Sequence, residues 1–463
     1  MNDVLHDQSQ QQEQKLKSSI AGFLQDILED WENQNRPSQR TGPGRPVTLP
    51  NFVLWISILL CVLQGFTSQL AIWRLIRWTG IGSHGAYAIS DQAVYNRLSS
   101  GGQEAMQDLF HQITHALAER FAPYAQNQLA KFAAGVYAID GSTLDKVGRY
   151  LPALRKIPDG DSQLLPGKMV GLFDIRSQQW CEMVHLPNPH QNDKVAAREL
   201  ADQLPRGSLL LADLGFFGFA WFDYLTFQGY WWISRWRDKT SFEIVHTFYE
   251  DATTFDGLIW LGKYRADKAA FTVRLVRFTV GQTQFQYLTN VLDPWILPLQ
   301  EIAQLYARRW DIEMAFRMVK QYLKLHLIWS AKQDIILLQV WAVLIISQIL
   351  QAIRLEIAGL AEVDPFDVSL PLLVQYVPQL TLENKNPVEM IVRDGRELGF
   401  IRPSRRIRIQ APIIAEDQIR PLPEGMKLVR CPRYAKRKGT TSYFPPEFKF
   451  WETFQPPTRV PAT

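Results

Sequence analysis

The chain has 463 residues, 46% of them hydrophobic and 21% charged, which excludes wholesale disorder and any collagen-like or disulfide-scaffold architecture. At ~150 residues per domain the length suggests about three domains, or one large core with insertions. Fifty Lys and Arg against 46 Asp and Glu leave a net charge of +4, too small to demand or exclude nucleic acid, so where the charge lies matters more than its sum.

The first 20 residues are polar and Gln-rich, without the basic and apolar regions of a signal peptide. Residues 1–48 read as a mobile tail and linker ending in the Pro/Gly/Arg-rich stretch RPSQRTGPGRP. Two apolar stretches invite a membrane reading. Phe52–Phe66 is shorter than the ~20 residues a span needs and contains Ser57 and Gln64. Ile335–Ile353 contains Gln339, Ser347, Gln348 and Gln351 and runs into Arg354 and Glu356. Both are expected to be core helices of a soluble cytoplasmic protein. The cysteines Cys61, Cys181 and Cys431 lie far apart with no C-x-x-C pair, as expected of reduced intracellular thiols and no zinc knuckle.

Residues 49–128 read as all helical. Within them ISDQAVYNRLSSGGQEAMQDLF offers Ser90 as an N-cap, a short helix, a Ser-Ser-Gly-Gly break and a second helix. That spacing allows a helix–turn–helix presenting Arg97 to DNA, and equally a helical packing module. From about 131 the pattern changes: GVYAID, KMVGLFDI and WCEMVHL read as strands, and NDKVAARELADQL as a helix capped by Asn192 or Asp193. LLLADLGFFG is a buried strand ending in an acid, FAWFDYLTF a short helix and YWWISRW another strand. This order indicates mixed α/β with a central sheet. Residues 239–290 are β-rich and read as an inserted subdomain, and EIAQLYARRWDIEMAFRMVKQYLKL as one long amphipathic helix. The catalytic-type unit is thus expected over 129–360 and a basic C-terminal region over 361–463. Between Ile401 and Thr440 eleven Lys/Arg face three acids, a local excess of +8 that points to a phosphate-backbone surface or a solvated tail.

Three acids stand out. Asp140 and Asp213 each end an apolar strand, where an uncompensated carboxylate is costly, so a basic partner or a metal is expected beside them. Two such strand ends favour a hard cation such as Mg2+. Arg309, Glu313, Arg317 and Lys320 are spaced four, four and three apart, which places them on one helix face, with Tyr306 a turn earlier. A ladder of surface salt bridges, each ~0.3–0.5 kcal/mol, reads the same spacing but leaves the strand-end acids unexplained. His185 and His190 lack metal-ligand spacing.

Tyr306, Arg309, Glu313 and Lys320, separated by two, three and six residues, resemble the signature of bacterial DDE cut-and-paste transposases of the insertion-sequence-four family. Asp213-Leu-Gly-Phe is similar to that family's second-acid motif and Asp140-Gly-Ser-Thr to its first; the likeness spans roughly 130–360. It implies a ribonuclease-H-like core interrupted by a β-rich insertion, with an N-terminal helical DNA-binding domain. Asp140, Asp213 and Glu313 would hold two Mg2+ or Mn2+ ions. Tyr306, Arg309 and Lys320, with Arg317, would contact phosphates. The basic tail, with Arg405, Arg406 and Arg408, would add backbone contacts. The implied partners are double-stranded DNA, both terminal inverted repeats and target, and a second copy in a synaptic homodimer in a bacterial cytoplasm. In such enzymes a tryptophan of the insertion stacks on a flipped base; Trp260 and Trp295 are both candidates. The same acids would also serve a nuclease without strand transfer, and a transposon-derived DNA-binding protein would not need them.

Overall fold

The computed structural model describes residues 27–33, 49–80, 85–122, 125, 128–144, 167–188, 191–263, 267–330, 332–383, 385–404 and 409–434. The N-terminal part is helical: α1 (Asn51–Leu63), α2 (Gln69–Trp78), α3 (Asp91–Ser99) and α4 (Gln103–Phe121). Ser90 caps α3 by accepting the Ala93 N–H. The break before α4 ends in Gly102 at φ +104°, where a Cβ would lie 2.2 Å from the Trp55 ring, so only glycine fits. Arg97 is half-buried and bonded within the fold. Its guanidinium donates to the Leu49 carbonyl at 3.0 Å and to the Asn51 side chain, tying α3 to the start of α1.

A nine-stranded mixed sheet follows, in the order β3-β2-β1-β4-β5-β9-β8-β7-β6. Its centre is parallel: β1 (Val136–Thr143), β4 (Leu209–Ala212) and β5 (Trp231–Arg235). On one side lie the antiparallel β2 (Lys168–Asp174) and β3 (Gln179–Leu186). On the other run β9 (Thr283–Thr289), β8 (Val273–Val280), β7 (Thr254–Leu261) and β6 (Phe242–Glu250). β4 is an unbroken apolar run because both of its faces are covered. Leu209 and Leu211 enter the core on one side of the sheet, Leu210 and Ala212 the core on the other. The stretch expected to form an inserted subdomain is continuous with the sheet, since β9 pairs antiparallel with β5.

One face carries α5 (Lys194–Asp202) and α6 (Phe219–Phe227). The other carries α4 together with α7 (Leu299–Arg308), α8 (Trp310–Arg317) and α9 (Gln333–Leu360). Helix α9 is the one described helix long and apolar enough to cross a membrane, yet 94% of its most apolar window is buried in the protein. Two of its glutamines make bonds in the core, whereas the buried Oε1 of Gln351 has no hydrogen-bond partner among the described residues. Gln348 accepts from the Trp180 N–H and donates to the Trp180 carbonyl and to Thr114, and Gln339 bonds the backbone of Leu327 and Trp329.

The long helix expected over 301–325 is segmented. At Arg309 the backbone stays right-handed helical, but its N–H bonds Tyr306 three residues back, separating α7 from α8. After Arg317 the ladder widens to a π-helical turn, Met318–Tyr322, closed by Leu323 N–H to the Met318 carbonyl at 2.9 Å. Such turns recur at functional sites, because they rotate the side chains that follow out of helical phase.

Beyond α10 (Leu370–Leu382) and α11 (Pro387–Asp394) the chain is irregular and returns along the β-rich end of the sheet. Lys268 pairs with Arg433 and Phe271 with Val429 as isolated bridges. Asp223, buried in α6, anchors this strap by accepting from the Ala270 and Phe271 N–H groups and from the Tyr434 hydroxyl. Arg430 is spent structurally as well: it donates to the Ala269 and Leu261 carbonyls and lies 4.6 Å over the Trp260 ring. Part of the basic tail is therefore a packing element rather than a phosphate surface.

Candidate active site

The parallel β1–β4 pairing stops at Ile139 and Ala212, so Asp140 and Asp213 are the next residues on neighbouring strands. Asp213 stands at the end of β4 as expected, whereas β1 continues three residues past Asp140 to Thr143, paired with β2. Asp213 keeps extended backbone angles and opens the 3-10 turn Leu214–Phe216 without using its carboxylate as a cap. Gly141 follows Asp140 for a steric reason. A Cβ there would lie 2.7 Å from Asp193 Oδ2, and Asp193 is itself ion-paired to the buried Lys168. Glycine thus lets the start of α5 close on one side of β1 while Asp140 faces α8 on the other.

Glu313, half-buried on α8, approaches Asp140 through Arg309. The Arg309 guanidinium donates to Glu313 Oε1 at 2.6 Å, and its Nη1 stands 3.8 Å from Asp140 Oδ2. Burial pushes the Asp140 carboxyl up to about 6; the Gly141 N–H and Arg309 oppose that rise, while Glu313 and Asp213 add to it. Burial opposes the charge of Arg309, but the fields of Tyr306, Asp213 and Glu313 hold its pKa above the usual value. The three carboxylates and one guanidinium therefore form a single electrostatic unit. Among the described residues no group of three Asp, Glu, His or Cys is set to hold a metal ion. The cation among these acids is Arg309.

Tyr306 on α7 is 6% exposed, with Arg309 5.7 Å over its ring and the Tyr287 ring 4.9 Å away. Burial pushes its hydroxyl above the usual range. Its Oη and the Nε and Nη1 of Arg309 have no hydrogen-bond partner among the described residues, although all three atoms are buried. Such atoms are expected to meet water or a ligand. Lys320, carried by the π-helical turn, donates to the Thr143 carbonyl at 2.7 Å and so ties the turn to the end of β1. Arg317 is exposed on the last turn of α8, and the shared helix face expected for Arg309, Glu313, Arg317 and Lys320 divides accordingly.

Arg405, Arg406, Arg408 and His190 lie outside the described residues. His185 packs against Gly167, away from the acids. Of the two tryptophans considered for stacking, Trp260 is covered by Arg430 and Trp295 is 40% exposed in the turn before α7. Two nearby features escaped the sequence reading. Asp311, 3% exposed, is bonded by Arg308 and Gln178 and locks α8 against the β2–β3 turn. Arg235, at the end of β5, shares a cavity with Arg309; its place after an apolar strand was the available signal.

No curated protein matches the chain. Among solved structures, a piggyBac transposase synaptic complex with hairpin DNA aligns over 85% of this chain and 84% of that chain, at 10% identity and a TM-score of 0.38, too loose a likeness to carry an argument. Residues 132–349, just under half of the chain and a span that holds Asp140, Asp213, Glu313 and the whole Tyr306–Lys320 stretch, match the family model of the transposase DDE domain.

Proposed function

We propose that this protein is a DDE transposase of the insertion-sequence-four type, cleaving DNA at terminal inverted repeats and joining the freed ends to target DNA. The observation that carries the reading is the β1–β4 register, which sets Asp140 beside Asp213 with Glu313 facing them, inside the span matched by the transposase DDE domain. The order β3-β2-β1-β4-β5, with β1, β4 and β5 parallel, supports a ribonuclease-H-like core.

Carboxylate oxygens are the donors that hard divalent ions take, although Asp140, Asp213 and Glu313 are not gathered around one position and would have to draw together on the ion. Burial already disfavours ionisation of Asp140, and the neighbouring Glu313 and Asp213 add to that, so positive charge brought beside it would favour its charged form. Mg2+ or Mn2+ held by Asp140, Asp213 and Glu313 would supply an activated oxygen nucleophile and stabilise the leaving oxygen of a phosphodiester. The residues around the acids would do the rest. Arg309, drawn from Glu313 by a phosphate, would bind it in bidentate fashion, and Tyr306 would donate its unpaired hydroxyl. Lys320 would hold the end of β1 and present positive charge beside it. Arg317, and Arg405, Arg406 and Arg408 in the tail, would extend the backbone contacts, and two copies would act together in a synapse.

The test is incubation of purified protein with Mg2+ and a labelled duplex carrying the inverted repeats that flank the gene. Cleavage followed by joining to target DNA is expected. Cleavage without joining would indicate a nuclease, and binding without cleavage a transposon-derived DNA-binding protein.

A further inference from the structure

Lined by Arg309, the partner of Glu313, but by none of the three acids, a groove of about 1160 Å3 is walled by α7 and α8, by the ends of β5 and β9, and by the C-terminal stretches 366–371 and 402–404. That volume slightly exceeds the ~300–1000 Å3 of a pocket for one small molecule. It is far too small for a duplex, whose major groove alone is ~12 Å wide. Its polar lining is cationic. Arg235, Arg317 and Arg402 are exposed and make no side-chain hydrogen bond or ion pair among the described residues. Both lining carboxylates are committed elsewhere, Asp311 to Arg308 and Gln178, and Asp367 to the Ser404 N–H. Two further lining side chains, Arg309 and Tyr306, are each 6% exposed and bring unpaired buried polar atoms to it. Between the cations the wall is apolar, with Phe285 and Met314. Spaced guanidinium groups along an apolar floor suit a chain of phosphates whose base faces need covering.

We propose that this groove is the track for one strand of DNA, with its phosphates held by Arg235 from the sheet and Arg402 from the C-terminal segment, so that the strand reaches the acids past Arg309. The proposal rests on the DNA-processing reading above and adds the C-terminal segment as a wall of the substrate path. Among the described residues the Arg235 and Arg402 side chains make no hydrogen bond or ion pair, so exchanging them for glutamine breaks no described side-chain contact of that kind.

The test is fluorescence anisotropy with a labelled oligothymidylate across a salt series. The double variant Arg235→Gln/Arg402→Gln is expected to bind at least about tenfold more weakly at 0.1 M salt, as befits two lost charge-assisted contacts. Its log–log salt slope is expected to be shallower by about 1.4, at ~0.7 per phosphate contact on a single strand. A double variant of equal charge loss across the sheet, Arg198→Gln/Arg206→Gln, is expected to match wild type. Unchanged affinity and slope in the groove variant, equal losses in both variants, or no binding of the single strand by wild type would each overturn the proposal. Mg2+-dependent cleavage of the duplex repeat, run on the same wild-type preparation, separates the two levels. If wild type cleaves while the groove variant binds normally, the groove falls and the transposase reading stands.

Discussion

Arg309 donates a 2.6 Å hydrogen bond to Glu313 one helical turn further on, while its Nη1 stands 3.8 Å from Asp140 on the sheet. The guanidinium thus takes the part of a cation among carboxylates that would otherwise repel one another. A divalent ion entering this site competes with Arg309 for the same oxygens. Arg309→Gln is therefore expected to bind Mn2+ about tenfold more tightly than wild type without DNA, read by titration calorimetry. It is also expected to lose cleavage, because the phosphate contact proposed for Arg309 would go with the charge. Equal Mn2+ affinity in the two proteins would show that Arg309 does not guard the site.

The start of α7 is fixed by a buried ion pair at the β-rich end of the sheet. Arg274 on β8 is fully buried, forks onto Asp256 at 2.7 and 2.5 Å, and donates to the Leu297 carbonyl at 2.7 Å, just before α7. Removing one partner strands the other charge in the core. Arg274→Met is expected to cost about 3–5 kcal/mol in chemical denaturation, and Asp256→Asn a similar amount. A loss below about 1 kcal/mol would mean that the pair is not buried as described.

Asp223 makes stability depend on pH. Burial pushes its carboxyl up to about 7, against the opposing pull of Tyr434, the Ala270 and Phe271 N–H groups and Arg430. An unfolded aspartate titrates near ~3.9, so between these values the folded state binds the extra proton. Its contribution is complete below pH ~4 and is lost as the pH rises through about 7. Wild type is expected to lose about 3 kcal/mol relative to Asp223→Asn between about pH 4.5 and 8, since the loss runs from the start of that window to about 7 at ~1.4 kcal/mol per pH unit. A constant difference over that range would refute the assignment. Limited proteolysis of the Leu428–Tyr434 strap is expected to accelerate with the same pH profile.

The strands that carry Asp140 and Asp213 were legible because a buried parallel strand writes itself as an apolar run. Only Asp213 stands at a strand end, however; β1 runs on through Gly141, Ser142 and Thr143, a polar stretch paired with β2 that hydrophobicity did not mark. The adjacency of the two acids was not legible, since register is a property of pairing that no single strand encodes. Periodicity placed Arg309 and Glu313 one turn apart and the structure agrees, but it continued the helix through Met318–Tyr322, where a π-helical turn swings Lys320 onto the Thr143 carbonyl. Local pattern carries no signal for that extra residue per turn. Composition marked 239–290 as β-rich and stopped there; only the β5–β9 pairing joins those strands to the central sheet. Charge counting treated every tail arginine alike, whereas Arg430 lies over Trp260 with its donors on backbone carbonyls. Arg402 lines the same groove as Arg309.

The central claim is that Asp140, Asp213 and Glu313 perform metal-dependent chemistry on DNA. Its most direct measurement compares Mg2+-dependent cleavage of the terminal-repeat duplex by wild type with that by Asp140→Asn, Asp213→Asn and Glu313→Gln, alongside binding of the same duplex. Each substitution keeps the side-chain shape and removes the charge that would hold the ion. Cleavage is expected to fall by about a thousandfold or more in all three, the scale on which lost metal catalysis is felt, with duplex affinity unchanged within a few fold. Cleavage at the wild-type rate in any one of them would contradict the assignment.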